Sequence, residues 1–144
     1  MRANTQFAIA IHILTLLALA DDTLVTSAVM ASSVNTNPAF LRRILGDLSR
    51  VGMVESQPGV SGGWRLRRPP EEISLRAIFR AVDEGHLLAM HHDPNPNCPV
   101  GAVIQSTLET YFGEAETAFE RTLAGRTLAQ VVETAQTTSA REAS

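Results

Sequence analysis

Arginine side chains that could bind an anion are concentrated in one stretch of this chain. All twelve basic residues are arginines, and six of them lie between residues 37 and 68: Arg42, Arg43, Arg50, Arg65, Arg67 and Arg68. Only Asp47 and Glu55 oppose them there, so the local charge is +4, whereas the stretch from Val82 to the end carries −6. Because the local field decides which surface attracts a polyanion, the overall charge of −3 does not exclude nucleic acid.

A second group of chemically capable side chains lies between residues 86 and 98. Cys98 is the single cysteine, which excludes an intramolecular disulfide and falls short of the three or four thiolates that most iron–sulfur clusters and structural zinc sites need. We therefore expect no cofactor. Other residues of metal-binding type accompany it: His86, His91, His92 and Asp93. Their spacing matches no closed ligand motif, so the sequence assigns no metal site, and a copper, zinc or iron site stays an alternative.

Cys98 precedes Pro99, and proline favours the first position of a helix. If Pro99 is the first helical residue, Cys98 is its cap, and the exposed amides and the helix dipole lower the pKa of the thiol. This predicts a thiol sensor of oxidants or electrophiles; the alternative is a small buried hydrophobe. A further option is a pocket for a small ligand, lined by Phe79, Leu87, Met90 and Tyr111. The alternative is that these residues belong to the hydrophobic core.

Composition limits the class of protein. A chain of 144 residues with 44% apolar content fits one domain with a real core, with room for an oligomerisation element. The longest apolar segment, from Phe7 to Ala20, is shorter than the ~20 residues that a bilayer demands, and no signal-peptide cleavage site follows it. We expect a cytoplasmic protein that does not contact membranes. No glycine-rich phosphate loop and no nucleophile–base arrangement indicates an enzyme.

The arginines must be positioned by helices and a hairpin. Thr26 or Ser27 caps a short second helix, and Asn37 followed by Pro38 starts a third one. The buried stripe of this third helix contains Phe40, Leu41, Ile44, Leu45 and Leu48, and Gly52 closes it. Residues 53–57 and 64–67 alternate weakly around a turn of Pro, Gly and Ser, which predicts a hairpin.

Two helices, a turn and a following hairpin are typical of a winged helix-turn-helix. In such a fold the third helix enters the major groove of DNA, and the hairpin, or wing, lies along the backbone or the minor groove. The predicted DNA-contacting residues are Thr26, Ser27, Asn35, Thr36, Asn37, Pro38, Ala39, Arg42, Arg43, Arg50, Gln57, Ser61, Gly62, Gly63, Trp64 and Arg65.

The second half of the chain predicts an oligomerisation helix. Ser74 caps a fourth helix that runs to about Glu84 and ends at Gly85. After Cys98, apolar residues recur every three or four positions for about 25 residues, which is the pattern of a helix that pairs with a copy of itself. The predicted dimer contacts are Val103, Ile104, Leu108, Tyr111, Phe112, Ala115 and Phe119. Thr127 then caps a short last helix.

Two segments resemble the Rrf2 family of bacterial winged-helix repressors: LGDLSRVGMVES at residues 45–56 and GGWRLRRPPEEISLRAIFRAV at residues 62–82. The resemblance covers about residues 3–133. It implies a homodimer that binds a palindromic operator on double-stranded DNA and represses transcription. This chain departs from the family in two places. It has only Cys98 where cluster-binding members carry three cysteines, and it has Pro58 where many members hold an arginine near the wing tip. Within the family, the chain most resembles the cluster-free branch.

The sequence therefore predicts a mainly α protein with a small β-wing: a winged helix-turn-helix domain (residues 1–84), a sensor or linker loop (85–98), a dimerisation helix with a short C-terminal helix (99–135) and a disordered tail (136–144). The predicted function is a dimeric DNA-binding repressor that responds to a redox, electrophile or other small-molecule signal. Two alternatives remain open. One is a helical protein-interaction module of anti-repressor type that has lost DNA binding, and the other is a metal-responsive regulator that uses the histidine and cysteine loop.

Overall fold

The computed structural model describes residues 5–83 and 87–144, and helices make up most of both ranges. In chain order the elements are α1 (Gln6–Leu19), α2 (Ser27–Val34), α3 (Pro38–Arg50), β1 (Val54–Gln57), β2 (Gly63–Leu66), α4 (Leu75–Val82), α5 (Ile104–Ala124) and α6 (Leu128–Ala143). The predicted fold class, mainly α with a small β-wing, is confirmed. The predictions that concern Asn4, Glu84, Gly85 and His86 lie outside the described residues.

One hydrophobic core joins α1, α3 and α4. Ile13, Leu14 and Leu17 of α1 are fully buried. The inward stripe of α3 is buried against them at Leu41, Ile44, Leu45 and Leu48. Leu128 brings the start of α6 into the same core. Because the inner face of α3 is anchored along its length, its outer face is presented in a fixed orientation. Across the described ranges, no helix has the length and apolar character needed to cross a bilayer.

Side-chain caps begin four helices where the sequence predicts them, at Thr26, Asn37, Ser74 and Thr127. The Oδ1 atom of Asn37 accepts hydrogen bonds from the amides of Ala39 (2.7 Å) and Phe40 (3.4 Å). Thr127 and Gln130 cap each other reciprocally at the start of α6. Each cap satisfies amides that have no partner within the helix and typically stabilises it by about 1 kcal/mol. The start of α3 is therefore fixed locally.

The wing is a two-stranded antiparallel hairpin that is attached to the body of the domain. β1 pairs with β2 so that Gln57 lies opposite Gly63 at the tip. A Cβ atom at Gly62 would overlap the backbone oxygen of Gln57, so the tip requires glycine there. At the other side of β2, Val25 and Trp64 exchange backbone hydrogen bonds of 2.9 and 2.8 Å. The wing is thereby linked to the segment that leads into α2.

The long helix begins later than predicted. α5 starts at Ile104 rather than at Pro99, because residues 98–103 form successive turns. In the first of these turns the carbonyl of Cys98 accepts the amide of Ala102 at 2.9 Å. Gly101 packs so tightly on the backbone of Asn95 that no side chain would fit. This close contact lies within the loop that precedes the helix.

The predicted short last helix and disordered tail are wrong in the structure. α6 continues to Ala143, through residues 136–143. After Gly125 the chain contains no glycine or proline, and its Ala, Glu, Gln and Arg residues have high helix propensity. The capping box at Thr127 fixes the start of the helix. The polar composition of this segment reflects an exposed helix surface, which composition alone does not separate from disorder.

Candidate nucleic-acid interface

A left-handed residue sets the turn between α2 and α3. Asn35 has φ 58° and ψ 52°, and its amide donates to the carbonyl of Ala31 at 2.9 Å. Asparagine tolerates this conformation better than most residues, which explains its place at the end of α2. Asn37 begins α3 two residues later. The predicted helix-turn-helix is therefore present, with Asn35 and Asn37 exposed and Thr36 half-buried in the turn.

The outer face of α3 carries positive charge. Four residues at helical spacing lie opposite its buried stripe, and they are Ala39, Arg43, Gly46 and Arg50. Arg42 lies beside this row and is exposed, as is Arg43. Arg50 forms an ion pair with Asp47 at 3.2 Å. Pro38 and Ala39, both exposed, lie at the start of this face.

Gly46 also lies on this face, and it is not among the DNA-contacting residues predicted from the sequence. It lies in the middle of α3, and a Cβ atom built there meets nothing within 4 Å. Glycine inside a helix lowers its stability by roughly 0.5–1 kcal/mol relative to alanine, so the packing of this chain gives no reason for it. In the sequence, Gly46 lies three or four positions from Arg42, Arg43 and Arg50, and this spacing could have indicated that it shares their face of the helix.

Trp64 takes a different position from the one predicted. The indole is half-buried against the core, and its Nε1–H donates to the Oγ atom of Ser27 at 3.3 Å. Ser27 is itself half-buried, while Thr26 next to it is exposed. The side chains of Trp64 and Ser27 therefore join the wing to the first turn of α2 within the protein.

The arginines at the base of the wing have a partner within the chain. The Nε–H of Arg65 donates to Glu55 Oε1 at 2.8 Å across the two strands, and Arg67 lies 3.9 Å from the other oxygen of the same carboxylate. Glu55 thus offsets positive charge at the wing. Of the other predicted wing contacts, Gln57 and Ser61 are exposed at the tip, beside the half-buried Gly62 and Gly63.

An aromatic row connects the head of the protein to α5. The ring of Phe79 in α4 packs edge-on against Phe7 of α1, with centroids 5.3 Å apart, and against Phe119 of α5 at 5.1 Å. Arg80 and Glu120 form an ion pair next to it, and this hydrogen bond lowers the pKa of the Glu120 carboxyl. Phe119, a predicted dimer contact, is therefore packed on its own chain.

The rest of the apolar stripe of α5 has little cover. No residue of α5 is buried. Tyr111 is 64% exposed and Val103, just before the helix, is 52% exposed. Ala115 is also exposed, and the other predicted dimer contacts, Ile104, Leu108 and Phe112, are only half-buried.

Cys98 is exposed, in the first of the turns that precede α5. Hydrogen bonds from the backbone amides of Gly101 and, second, Val100 lower the pKa of its thiol. The predicted direction of the pKa shift is thus found, although a single turn and not the long helix supplies the amides. The alternative of a buried cysteine is wrong in this structure.

The remaining candidates do not form one site. Among the described residues, which include His91, His92 and Cys98, no three His, Cys, Asp or Glu side chains lie close enough together to hold a metal ion. His86 lies outside the described residues. The ligand pocket predicted from the sequence is divided. Phe79 and Leu87 line a cavity of about 230 Å³ at the α4–α5 junction, Met90 lines another, and neither includes Tyr111.

Comparisons with known proteins agree with this geometry. The family model Rrf2, described as iron-dependent transcriptional regulator, matches residues 3–134. YwnA of Bacillus subtilis, a candidate HTH-type transcriptional regulator, is 40% identical over 130 residues, which cover 90% of this chain and 96% of YwnA. A crystal structure of a candidate DNA-binding protein has 37% identity and a TM-score of 0.72, covering 88% of this chain and 97% of that one. CymR, the global cysteine regulator of B. subtilis, shares the fold at 19% identity and a TM-score of 0.69, over 92% of this chain and 97% of CymR.

The iron in that family description does not fit the donor set of this chain. Most iron–sulfur clusters take three or four cysteine thiolates, and Cys98 is the single cysteine. A mononuclear site needs several converging ligands, and the described residues supply no such group.

Proposed function

Because this chain belongs to the Rrf2 family of transcriptional regulators, we propose that it acts as a homodimeric repressor that binds a palindromic operator through α3 and the wing. The chain is a transcriptional regulator and not an enzyme. The observation that supports the choice of surface is the outer face of α3, which carries Arg42 and Arg43 opposite a fully buried stripe. A regulator of bacterial transcription acts where the chromosome is, and we include a cytoplasmic location in the proposal.

The proposed contacts divide into two kinds. The major groove is wide enough to admit a helix, and arginines there bind guanine edges or phosphates. Arg42, Arg43 and Arg50 take this role. Thr26, Gln57 and Ser61, exposed on α2 and the wing, contact the sugar-phosphate backbone. Trp64 and Arg65 act by positioning the wing.

The dimer is proposed from the uncovered stripe of α5. Val103, Tyr111 and Ala115 are exposed, and a helix with no buried residue gains little from the packing of its own chain. Pairing with the same stripe of a second copy buries these residues by two-fold symmetry. Two heads related in this way read two half-sites, which is why we propose a palindromic operator.

The function is tested by titrating DNA from upstream of its own gene against the protein and following fluorescence anisotropy at increasing salt. A regulator that contacts phosphates loses affinity steeply as salt rises, because counterions are released on binding. We expect nanomolar affinity at low salt and much weaker binding to a shuffled sequence. Absence of binding at low salt would favour the anti-repressor alternative.

Gly46→Ala gives a prediction in which stability and affinity move in opposite directions. The added methyl group meets open space in the free protein, so the free energy of unfolding rises by about 0.5–1 kcal/mol. If the outer face of α3 lies against DNA, the same methyl group opposes close approach, and operator affinity falls by roughly fivefold. Thermal unfolding and anisotropy measure the two effects. Gly113→Ala in α5 is the matched control, because its added methyl group also meets open space. We expect this control to be stabilised and to bind the operator with unchanged affinity. A Gly46→Ala protein with wild-type affinity would contradict the proposed docking face.

We propose Cys98 as the redox or electrophile sensor because its thiol is exposed and its pKa is lowered. A lowered pKa places the thiolate, which is the reactive form, at lower pH than in a free cysteine. Alkylation by iodoacetamide as a function of pH is therefore expected to have its midpoint below that of a model cysteine peptide. In operator-binding assays, Cys98→Ser is expected to remove the response to peroxide, hypochlorite or diamide. An unchanged response together with unchanged operator affinity would reject the sensor.

A further inference from the structure

We propose that a cavity on one side of α5 binds a small organic cation with an apolar body. The cavity has a volume of about 620 Å³ and lies between residues 88–92 and α5. Its lining includes Leu88, Met90, His92, Glu109, Phe112 and Glu116. Cavities of roughly 300–1,000 Å³ are the size that small molecules occupy in proteins. It is distinct from the smaller cavity at the α4–α5 junction, although Glu116 borders both.

The apolar part of the lining fits a hydrocarbon or aromatic body. Leu88, Met90 and Phe112 line a common space, and Leu88 is 37% exposed. A flexible methionine adapts to irregular ligands and makes favourable contacts with aromatic rings. The ring of Phe112 offers a face to which a cation is attracted.

The charge of the lining selects the sign of the ligand. Glu109, Phe112 and Glu116 are spaced three and four residues apart, so both carboxylates flank the ring on one side of α5. None of the described residues that line the cavity is an arginine. Within the part of the chain that the structure describes, Glu109 makes no hydrogen bond or ion pair. Glu116 accepts the amide of Leu88 at 3.2 Å, which holds this wall of the cavity on the helix. With His92 counted as neutral, the described lining residues therefore carry a formal charge of −2.

The cavity stays open in the proposed dimer. Glu109 and Glu116 each follow a residue of the apolar stripe, Leu108 and Ala115, by one position. One residue turns the helix by 100°, so the carboxylates lie beside the stripe rather than on it. Phe112 lies at the edge of the stripe next to them, and in this inference its ring contacts the ligand and not the partner helix. The inference rests on the proposed function in one respect: the ligand would be the small-molecule signal of the regulator. Binding of the ligand itself requires no DNA.

The test uses the full-length, ¹⁵N-labelled protein without DNA and three compounds with one apolar body: 3-phenylpropylamine, 3-phenyl-1-propanol and 3-phenylpropionate. We expect the amine to bind at least ~10-fold more tightly than the alcohol and the carboxylate not to bind. Amide chemical shifts are expected to change at Ala89, Met90 and Phe112. Equal affinity for the three compounds, no binding of the amine, or shifts confined to other regions would overturn the proposal.

Charge neutralisation separates the site from general attraction to an acidic protein. Glu109→Gln is expected to weaken the amine by roughly fivefold and to leave the alcohol unchanged. Glu114→Gln removes the same charge from an exposed position elsewhere on α5 and is expected to change neither. Equal effects of the two variants would show that the cavity does not select the cation. Because these titrations contain no DNA, their outcome does not depend on whether the protein binds an operator.

Discussion

Replacing Arg42 and Arg43 together with alanine is expected to abolish operator binding while the protein stays folded. Both side chains are exposed on α3, whose stability comes from its buried face. In a dimer the double variant removes four contacts. If each contact contributes about 1 kcal/mol, the low end of the range for an arginine–base contact, the binding free energy falls by about 4 kcal/mol, or roughly a thousandfold in affinity. Anisotropy with operator DNA measures the loss, and circular dichroism and thermal unfolding report the fold.

The matched control removes the same number of charges far from α3. Arg121→Ala combined with Arg141→Ala changes exposed positions of α5 and α6. This control is expected to bind the operator within a few-fold of the wild type, because screened charges away from the interface contribute little. Wild-type affinity in the Arg42/Arg43 variant would show that another element reads the DNA.

Tyr111→Glu is expected to convert the dimer to monomers and to weaken operator binding by at least ~100-fold. Tyr111 is 64% exposed in the middle of the apolar stripe of α5, and a charge there faces its own symmetry mate across the proposed interface. The loss of affinity follows because two linked heads bind two half-sites with a large effective concentration, and single heads do not. Sedimentation equilibrium measures the mass, and anisotropy measures the affinity.

Thr117→Glu is the control for this variant, since it adds the same charge to an exposed position on the other side of α5. We expect it to remain dimeric. A Tyr111→Glu protein that is still dimeric would reject the stripe as the interface. A monomer with wild-type operator affinity would reject the link between dimerisation and recognition.

The features that the sequence predicted well depend on short-range chemistry. The cap at Asn37 and the end of α3 near Gly52 involve hydrogen bonds between residues a few positions apart. The turn residue Asn35 likewise needs only its own backbone conformation. These interactions are complete within a window of the sequence, so residue type and spacing are sufficient to place the helix-turn-helix.

The features that were missed depend on partners that the fold brings together. Trp64 is 37 residues from Ser27 in the chain, and nothing local indicates their hydrogen bond. The loop before α5, in which Gly101 packs on Asn95, was predicted as the first turns of the helix. The ion pair of Arg65 with Glu55, in contrast, could have been predicted from the sequence. The turn sets the register of the hairpin, and that register places the two residues directly opposite each other.

Operator recognition by a dimer is tested by a hydroxyl-radical footprint of the wild-type protein on DNA upstream of its own gene. A dimer that reads DNA with two copies of α3 is expected to protect two half-sites related by a two-fold axis, about one helical turn apart, and to lose this protection as salt rises. Uniform protection along the fragment, or none at low salt, would contradict the account.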